Sequence, residues 1–103
     1  MIIVITAQGR AELREADEFR SFKIVVDAGL PPAALGGALA GMATLEPDGK
    51  TAWVARDAVK RLRGADAPAA WTASFDKMVE SVRRFGWVND QTGSVRAHIE
   101  RAG

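Results

Sequence analysis

The 103-residue sequence contains no cysteine and a single histidine, His98. Without cysteine the chain cannot form disulfide bonds, iron–sulfur clusters or thiolate zinc sites. A lone histidine with no second histidine and no close carboxylate cluster is a poor ligand set, so we predict no metal. Fourteen basic and thirteen acidic residues leave a net charge of +1, which gives no bulk attraction toward a polyanion.

Nucleotide-binding glycine motifs and long apolar runs are also missing. Ala33–Gly41 carries three glycines, but no Gly-Lys-Ser/Thr follows them and no Gly-x-Gly-x-x-Gly occurs. We therefore expect no cofactor. The first residues, Met1–Thr6, lack a basic segment and are too short for a signal sequence or a membrane span. A soluble, cytoplasmic protein with no membrane partner is expected.

The length predicts one domain, residues 1–103, with one hydrophobic core. A chain of this size buries roughly 60–65% of its unfolded surface on folding. Little core is left over, so association into a homodimer would help to stabilise it.

The longest regular pattern is an amphipathic helix of about residues 67–85. Its apolar residues recur at intervals of three and four, which places them on one helix face and predicts their burial: Trp71, Phe75, Met78, Val82 and Phe85. Asp66 and Pro68 are typical of a helix start. Gly86 is typical of a left-handed stop that brings Trp87 back against Val82.

The first third of the chain predicts a central strand and leaves one segment open. Ile2–Thr6 is β-branched without alternation, as in a strand buried on both faces. Arg10–Leu13 suits either a second strand or the start of a helix. For Glu12–Phe22 we expect a short helix that runs into a strand near Phe22. Asp27–Pro32 ends that strand.

The middle of the chain predicts a weak helix, a hairpin and a short helix. The Gly-rich segment Ala33–Gly41 suits a weak helix. Three roles stay open for it: a lid, a subunit contact, or a connection that crosses the core. Thr44–Val54 predicts a hairpin turning at Pro47-Asp48-Gly49, with Trp53 in the core. Arg56–Arg63 predicts a short helix ended by Gly64.

This order of elements indicates an α+β fold. The expected form is a small antiparallel sheet with the long helix and one or two short helices on one face, similar to a ferredoxin-like sandwich. The alternative is a winged-helix-like C-terminal half. There Arg56–Arg63 would support a recognition helix, Pro68–Phe85, and Trp87–Ile99 would form the wing.

The candidate catalytic residues lie on the last strand. Strict alternation in Val95–Glu100 puts Arg96, His98 and Glu100 on one face. His98 is the candidate general acid or base, since its unperturbed pKa lies near neutrality. Glu100 would orient the ring and Arg96 would hold an anionic group. The alternative is that all three are solvated residues of an exposed sheet face.

A second cluster of cations lies on the two predicted C-terminal helices: Lys60, Arg61, Arg63, Arg83 and Arg84. Cations near helix C-termini are expected from the helix dipole alone. Asp76 and Glu80 also dilute the charge on the long helix. Nucleic-acid binding is therefore the less favoured function.

The favoured function is that of a homo-oligomeric small-molecule enzyme or ligand-binding protein. Its high apolar content, three tryptophans and the Arg96/His98/Glu100 face point to a small apolar or anionic ligand. We expect the pocket between the sheet and Pro31–Gly41.

Overall fold

The computed structural model describes residues 1–102 and has the predicted α+β composition. Its elements, in chain order, are β1 (Ile2–Ile5), β2 (Ala11–Arg14), β3 (Lys23–Val26), α1 (Leu35–Leu39), β4 (Ala43–Leu45), β5 (Thr51–Val54), α2 (Arg56–Arg63), α3 (Ala69–Ser81) and β6 (Val95–Arg101). Short 3₁₀ turns occupy Pro32–Ala34 and Arg83–Phe85. No helix among the described residues has the length and apolar character needed to cross a membrane.

The sheet is mixed and six-stranded, whereas the sequence predicted a small antiparallel one. The strand order is β2-β1-β3-β6-β5-β4, with β1–β3 and β3–β6 parallel and the other pairs antiparallel. Two strands can pair in parallel only when a long connection returns the chain to the same end of the sheet. Such connections join β1 to β3 and β3 to β6. The ferredoxin-like arrangement is not confirmed.

The winged-helix arrangement does not match the position of β6. A wing is a peripheral hairpin, but β6 lies between β3 and β5, in the interior of the sheet. The residues before it, Trp87–Ser94, contribute only one isolated bridge, between Val88 and Val95. Burial of the apolar side of β6 explains this position, since Val95 and Ala97 are each only 2% exposed.

The prediction of a helix within Glu12–Phe22 is wrong, and the strand alternative for the preceding segment is correct. β2 pairs antiparallel with β1, from Ile5 opposite Ala11 to Ile2 opposite Arg14. Glu15 then adopts a φ of 51°, which breaks the strand, and no helix forms before β3. Edge pairing and packing of Leu13 on the core outweigh the helix-forming composition.

The core lies between the helices and one face of the sheet. Alternate strand residues point into it and are fully buried, among them Ile3, Ile5, Ile24, Val26 and Val54. β1 is an interior strand as predicted, but Ile2 and Val4 are only partly buried, on the opposite face. That opposite face, which we call the helix-free face, also carries Arg96, His98 and Glu100.

Helix α3 is shorter than the predicted 67–85, and its buried stripe differs at the C-terminal end. Trp71 and Phe75 are buried as expected, together with Val79. Met78 and Val82 are partly buried, but Phe85 is 55% exposed. After Ser81 the chain tightens into a 3₁₀ turn, which rotates Phe85 off the stripe. Gly86 takes the predicted left-handed conformation.

Two local predictions need correction, one at the start of α3 and one in the β4–β5 hairpin. Pro68, not Asp66, is the residue before α3, and Asp66 instead lies 3.9 Å from Arg63. The β4–β5 hairpin forms as predicted, with Gly49 at a φ of 69°. Trp53, however, lies on the helix-free face and donates its indole N–H to Glu46 at 2.6 Å. It is therefore not a core residue.

The Gly-rich segment forms the short helix α1 within Ala33–Gly41. Leu35 and Leu39 are buried, and the helix packs beside β4 at one end of the sheet. Gly36 and Gly37 face open space, since a Cβ added to either would meet no atom within 4 Å. The two glycines are thus not required for close packing within the chain.

Candidate functional site

Strand β6 changes its pairing partner partway along its length. On one side it pairs with β5 from Val95 to His98. On the other side its first residues pair with the segment before it, through the Val88–Val95 bridge and a 2.8 Å bond from the Arg96 N–H to the Trp87 carbonyl. From His98 onward that side pairs with β3, beginning at Lys23. A gap between Trp87 and the start of β3 follows from this change.

A cleft of about 560 Å³ lies at this gap. Its walls come from the segment before β3, the C-terminal end of α3, Trp87 and the first half of β6. The apolar part of the lining consists of Phe19, Phe22, Met78, Val82, Trp87 and Val95. The volume falls within the roughly 300–1,000 Å³ that small-molecule sites occupy.

The polar part of the cleft lining contains cations and hydroxyls but no acidic residue. It consists of Arg20, Ser21, Thr51, Ser81, Arg96 and His98. The cleft lies away from the position predicted from the sequence, because no residue of Pro31–Gly41 lines it. Helix α1 packs at the β4 edge instead.

The cleft wall before β3 is fixed by contacts to two other elements. The indole N–H of Trp71 donates to the Ala16 carbonyl at 2.8 Å, and the Phe19 and Trp71 rings lie 6.3 Å apart. The backbone nitrogen of Met1 donates to the Glu18 and Ser21 carbonyls at 2.8 and 2.9 Å. These contacts hold the segment between β2 and β3 in an irregular conformation.

The three predicted catalytic residues share the helix-free face, as strand alternation requires. Arg96 and His98 line the cleft, whereas Glu100 does not. Glu100 instead accepts a hydrogen bond from His98 Nε2 at 2.9 Å. The pair therefore has the geometry expected of a carboxylate that orients an imidazole, although their functional roles remain predictions.

Lys23 is a residue that the sequence analysis missed. Its Nζ donates to the second Glu100 oxygen at 3.0 Å, across the parallel β3–β6 pair. Lys23 and Glu100 are 77 positions apart in the sequence. A local sequence pattern does not predict which strands pair, so this contact could not be predicted. The hydrogen bond from His98 and then that from Lys23 lower the pKa of Glu100. The carboxylate consequently remains ionised at mildly acidic pH.

The protonation pattern of His98 follows from its partner. An ionised carboxylate only accepts hydrogen bonds, so Nε2 must carry the proton it donates to Glu100. In the neutral ring this leaves Nδ1 as an unprotonated acceptor. The side chain is 57% exposed and lines the cleft, so that acceptor is within reach of a bound molecule.

Thr51 lies directly opposite His98 on β5 and supplies a further polar group. Its hydroxyl oxygen is buried, and no hydrogen-bond partner for it is found among residues 1–102. A buried hydroxyl without a partner costs free energy, about 1–3 kcal/mol in mutational data. A ligand group that bonds to Thr51 would recover part of that cost.

Several cations of α2 and of the 3₁₀ turn after α3 are paired with carboxylates. Lys60 lies 3.1 Å from Asp76, and Arg56 lies 3.3 Å from Glu80. Arg83 contacts both Glu80 and Asp90, and its hydrogen bond to Glu80 lowers the pKa of that carboxyl. Together with the 3.9 Å Arg63–Asp66 contact, these pairs neutralise part of the basic surface that a winged-helix protein would present.

No three His, Cys, Asp or Glu side chains within residues 1–102 are grouped so that they could hold a metal ion. The expectation of no metal and no cofactor stays a prediction. Comparison of the chain with models of protein families, with curated proteins and with solved structures finds no match.

Proposed function

We propose that the protein binds a small, largely apolar molecule in the cleft beside Trp87, as a small-molecule enzyme or a ligand-binding protein. The cleft itself carries this proposal. Aromatic and aliphatic side chains form most of its walls, and a few polar groups converge on one side. That combination is typical of small-molecule sites.

His98 is proposed as the acid or base of an enzymatic version of this function. Its ring lines the cleft, its Nε2–H is held by Glu100, and its Nδ1 is available to accept a proton. The same residues would serve a binding protein as a polar recognition group. The two versions differ in whether removal of the imidazole changes a rate or only an affinity.

A blocking substitution tests the cleft. Ser81 is exposed at the end of α3 and lines the cleft, whereas Ala73 is exposed on the same helix and does not. We expect Ser81→Trp to weaken binding of the neutral apolar dye Nile red ~10-fold or more and Ala73→Trp to leave it unchanged. Fluorescence titration measures both. Equal binding by the two variants would place the dye, and the function, elsewhere.

A kinetic test separates enzyme from binding protein. With a nitrophenyl ester of an apolar acid as probe, Nδ1 of His98 would take a proton from the attacking water while nitrophenolate leaves. General base catalysis typically contributes about 10²–10⁴-fold, so His98→Gln should lower kcat by at least ~10²-fold with little change in KM. A variant as fast as the wild type would leave only the binding function.

Homodimer formation also remains a proposal. Ile2, Val4 and Val25 are partly exposed on the helix-free face, and a small chain gains stability by covering such residues. Analytical ultracentrifugation over a range of protein concentrations tests it directly, and a monomer throughout would exclude it.

A further inference from the structure

We propose that the cleft selects a monocarboxylate with an apolar body, whose carboxylate binds Arg96 and whose apolar part lies against the end of α3. This inference rests on the proposed binding function and adds the charge and the orientation of the ligand. Three features of the cleft support this inference. Its ionisable lining residues are basic, Arg96 has no ion pair within the described part of the chain, and the side chains of β6 alternate between the two faces of the sheet.

The lining has the wrong charge for a cationic ligand. Arg20, Arg96 and His98 are its ionisable residues, and it contains no aspartate or glutamate. A bound ligand that covers the apolar walls lowers the local dielectric constant, which strengthens the attraction between a cation and a bound anion. An ammonium group would find no carboxylate partner in this lining.

Arg96 is the cation left available for a ligand. Arg20 is occupied by Glu18, at 3.4 Å, and is 92% exposed. His98 is occupied on one nitrogen by Glu100. Within residues 1–102 the Arg96 guanidinium has no ion pair. A guanidinium offers two parallel N–H groups to a planar carboxylate, so this match is specific as well as charged.

The alternation of β6 fixes the orientation of the ligand. Arg96 and His98 project from the helix-free face, whereas Val95 points toward α3, where Met78 and Val82 complete the apolar wall. The carboxylate therefore lies at the side of the cleft nearer the helix-free face. There the Thr51 hydroxyl, beside His98, can donate to its second oxygen.

Calorimetry on the intact protein tests charge selection with matched probes. The probes are phenylbutanoate, its primary amide, phenylbutylamine and inorganic phosphate. We expect the carboxylate to bind ~10-fold or more tightly than the amide, since hydrogen bonds to charged groups contribute more than neutral ones. The amine should bind more weakly than the amide. Phosphate alone should not bind, because the apolar walls supply the rest of the affinity.

Arg96→Gln tests the anchor, with Arg101→Gln as its control. Arg101 is exposed on the same strand and does not line the cleft. Arg96→Gln should abolish the preference for the carboxylate over the amide, while Arg101→Gln should leave that preference unchanged. Arg96→Lys should retain part of the preference, because it keeps the charge but not the paired donors.

The outcomes separate the two proposals. Equal binding of the carboxylate and the amide by the wild type, or an unchanged preference in Arg96→Gln, would overturn the carboxylate inference and leave the cleft function intact. Binding of phosphate alone at comparable affinity would also overturn it, since the anion rather than an amphipathic acid would then be the ligand. Failure of every probe and of Nile red to bind would overturn the cleft function itself.

Discussion

The two groups of cations in this molecule have different surroundings. On α2, Arg56 and Lys60 contact carboxylates of α3. At the cleft, Arg96 has no such contact among the described residues, although it lies in a mostly apolar surface. Cations of the first kind join helices to each other and are satisfied within the chain. A cation of the second kind is available to a ligand, so the position of a charge relative to its neighbours matters more than the count of charges.

The largest expected effect is a loss of folding stability. It compares a residue of the closed core under α3 with an exposed aromatic residue near the cleft. Phe75 is fully buried and stacks on Trp71 at 5.3 Å, whereas Phe85 is 55% exposed. Phe75→Ala should lower the free energy of unfolding by ~3–5 kcal/mol. Phe85→Ala should cost under ~1 kcal/mol, because little apolar area is lost from the core. Urea denaturation measures both, and equal losses would restore the stripe that the sequence predicted.

A smaller effect concerns the carboxylate behind His98. The folded-state pKa of Glu100 lies below its ordinary value of 4.5, so its contribution to stability is present above pH ~4.5 and is lost as the pH falls through the folded-state pKa. The hydrogen bond from His98 is the larger cause and that from Lys23 the next. We expect the Lys23→Met variant to raise the Glu100 pKa. The separate His98→Gln variant should raise it by a larger amount.

Carbon-detected NMR titration of the Glu100 carboxyl measures these shifts. Glu12 is the reference, because it lies on the edge strand and contacts neither His98 nor Lys23. If Lys23→Met left the Glu100 titration unchanged, the cross-strand contact would have no electrostatic role.

The smallest expected effect is on nucleic-acid binding. Arg61 and Arg84 are exposed and have no ion pair among residues 1–102, so their charge reversal leaves the internal pairs intact. We expect no salt-dependent binding of duplex DNA by the wild type, and no change in binding of the carboxylate probe by Arg61→Glu/Arg84→Glu. Fluorescence anisotropy at several salt concentrations tests the first. Binding that weakens steeply with salt would favour the nucleic-acid alternative.

The parts predicted correctly depend on residues close together in the chain. The Pro47-Asp48-Gly49 turn, helix α2 and the shared face of Arg96, His98 and Glu100 follow from local spacing. Trp53 shows the limit of such inference. Its aromatic character suggested the core, but the alternation of β5 that buries Ala52 and Val54 turns Trp53 to the other face.

The sequence by itself determined the main amphipathic helix, the hairpin and the sidedness of the last strand, because 3.6-residue and two-residue periods and turn chemistry act over a few residues. Only the tertiary structure decided that β3 and β6 run parallel, which sets Lys23 beside Glu100. It also decided where β6 exchanges one partner for another and so where the cleft lies. These features depend on contacts between residues far apart in the chain. Their free energy comes from burying one shared core, and no local pattern encodes which strands meet there.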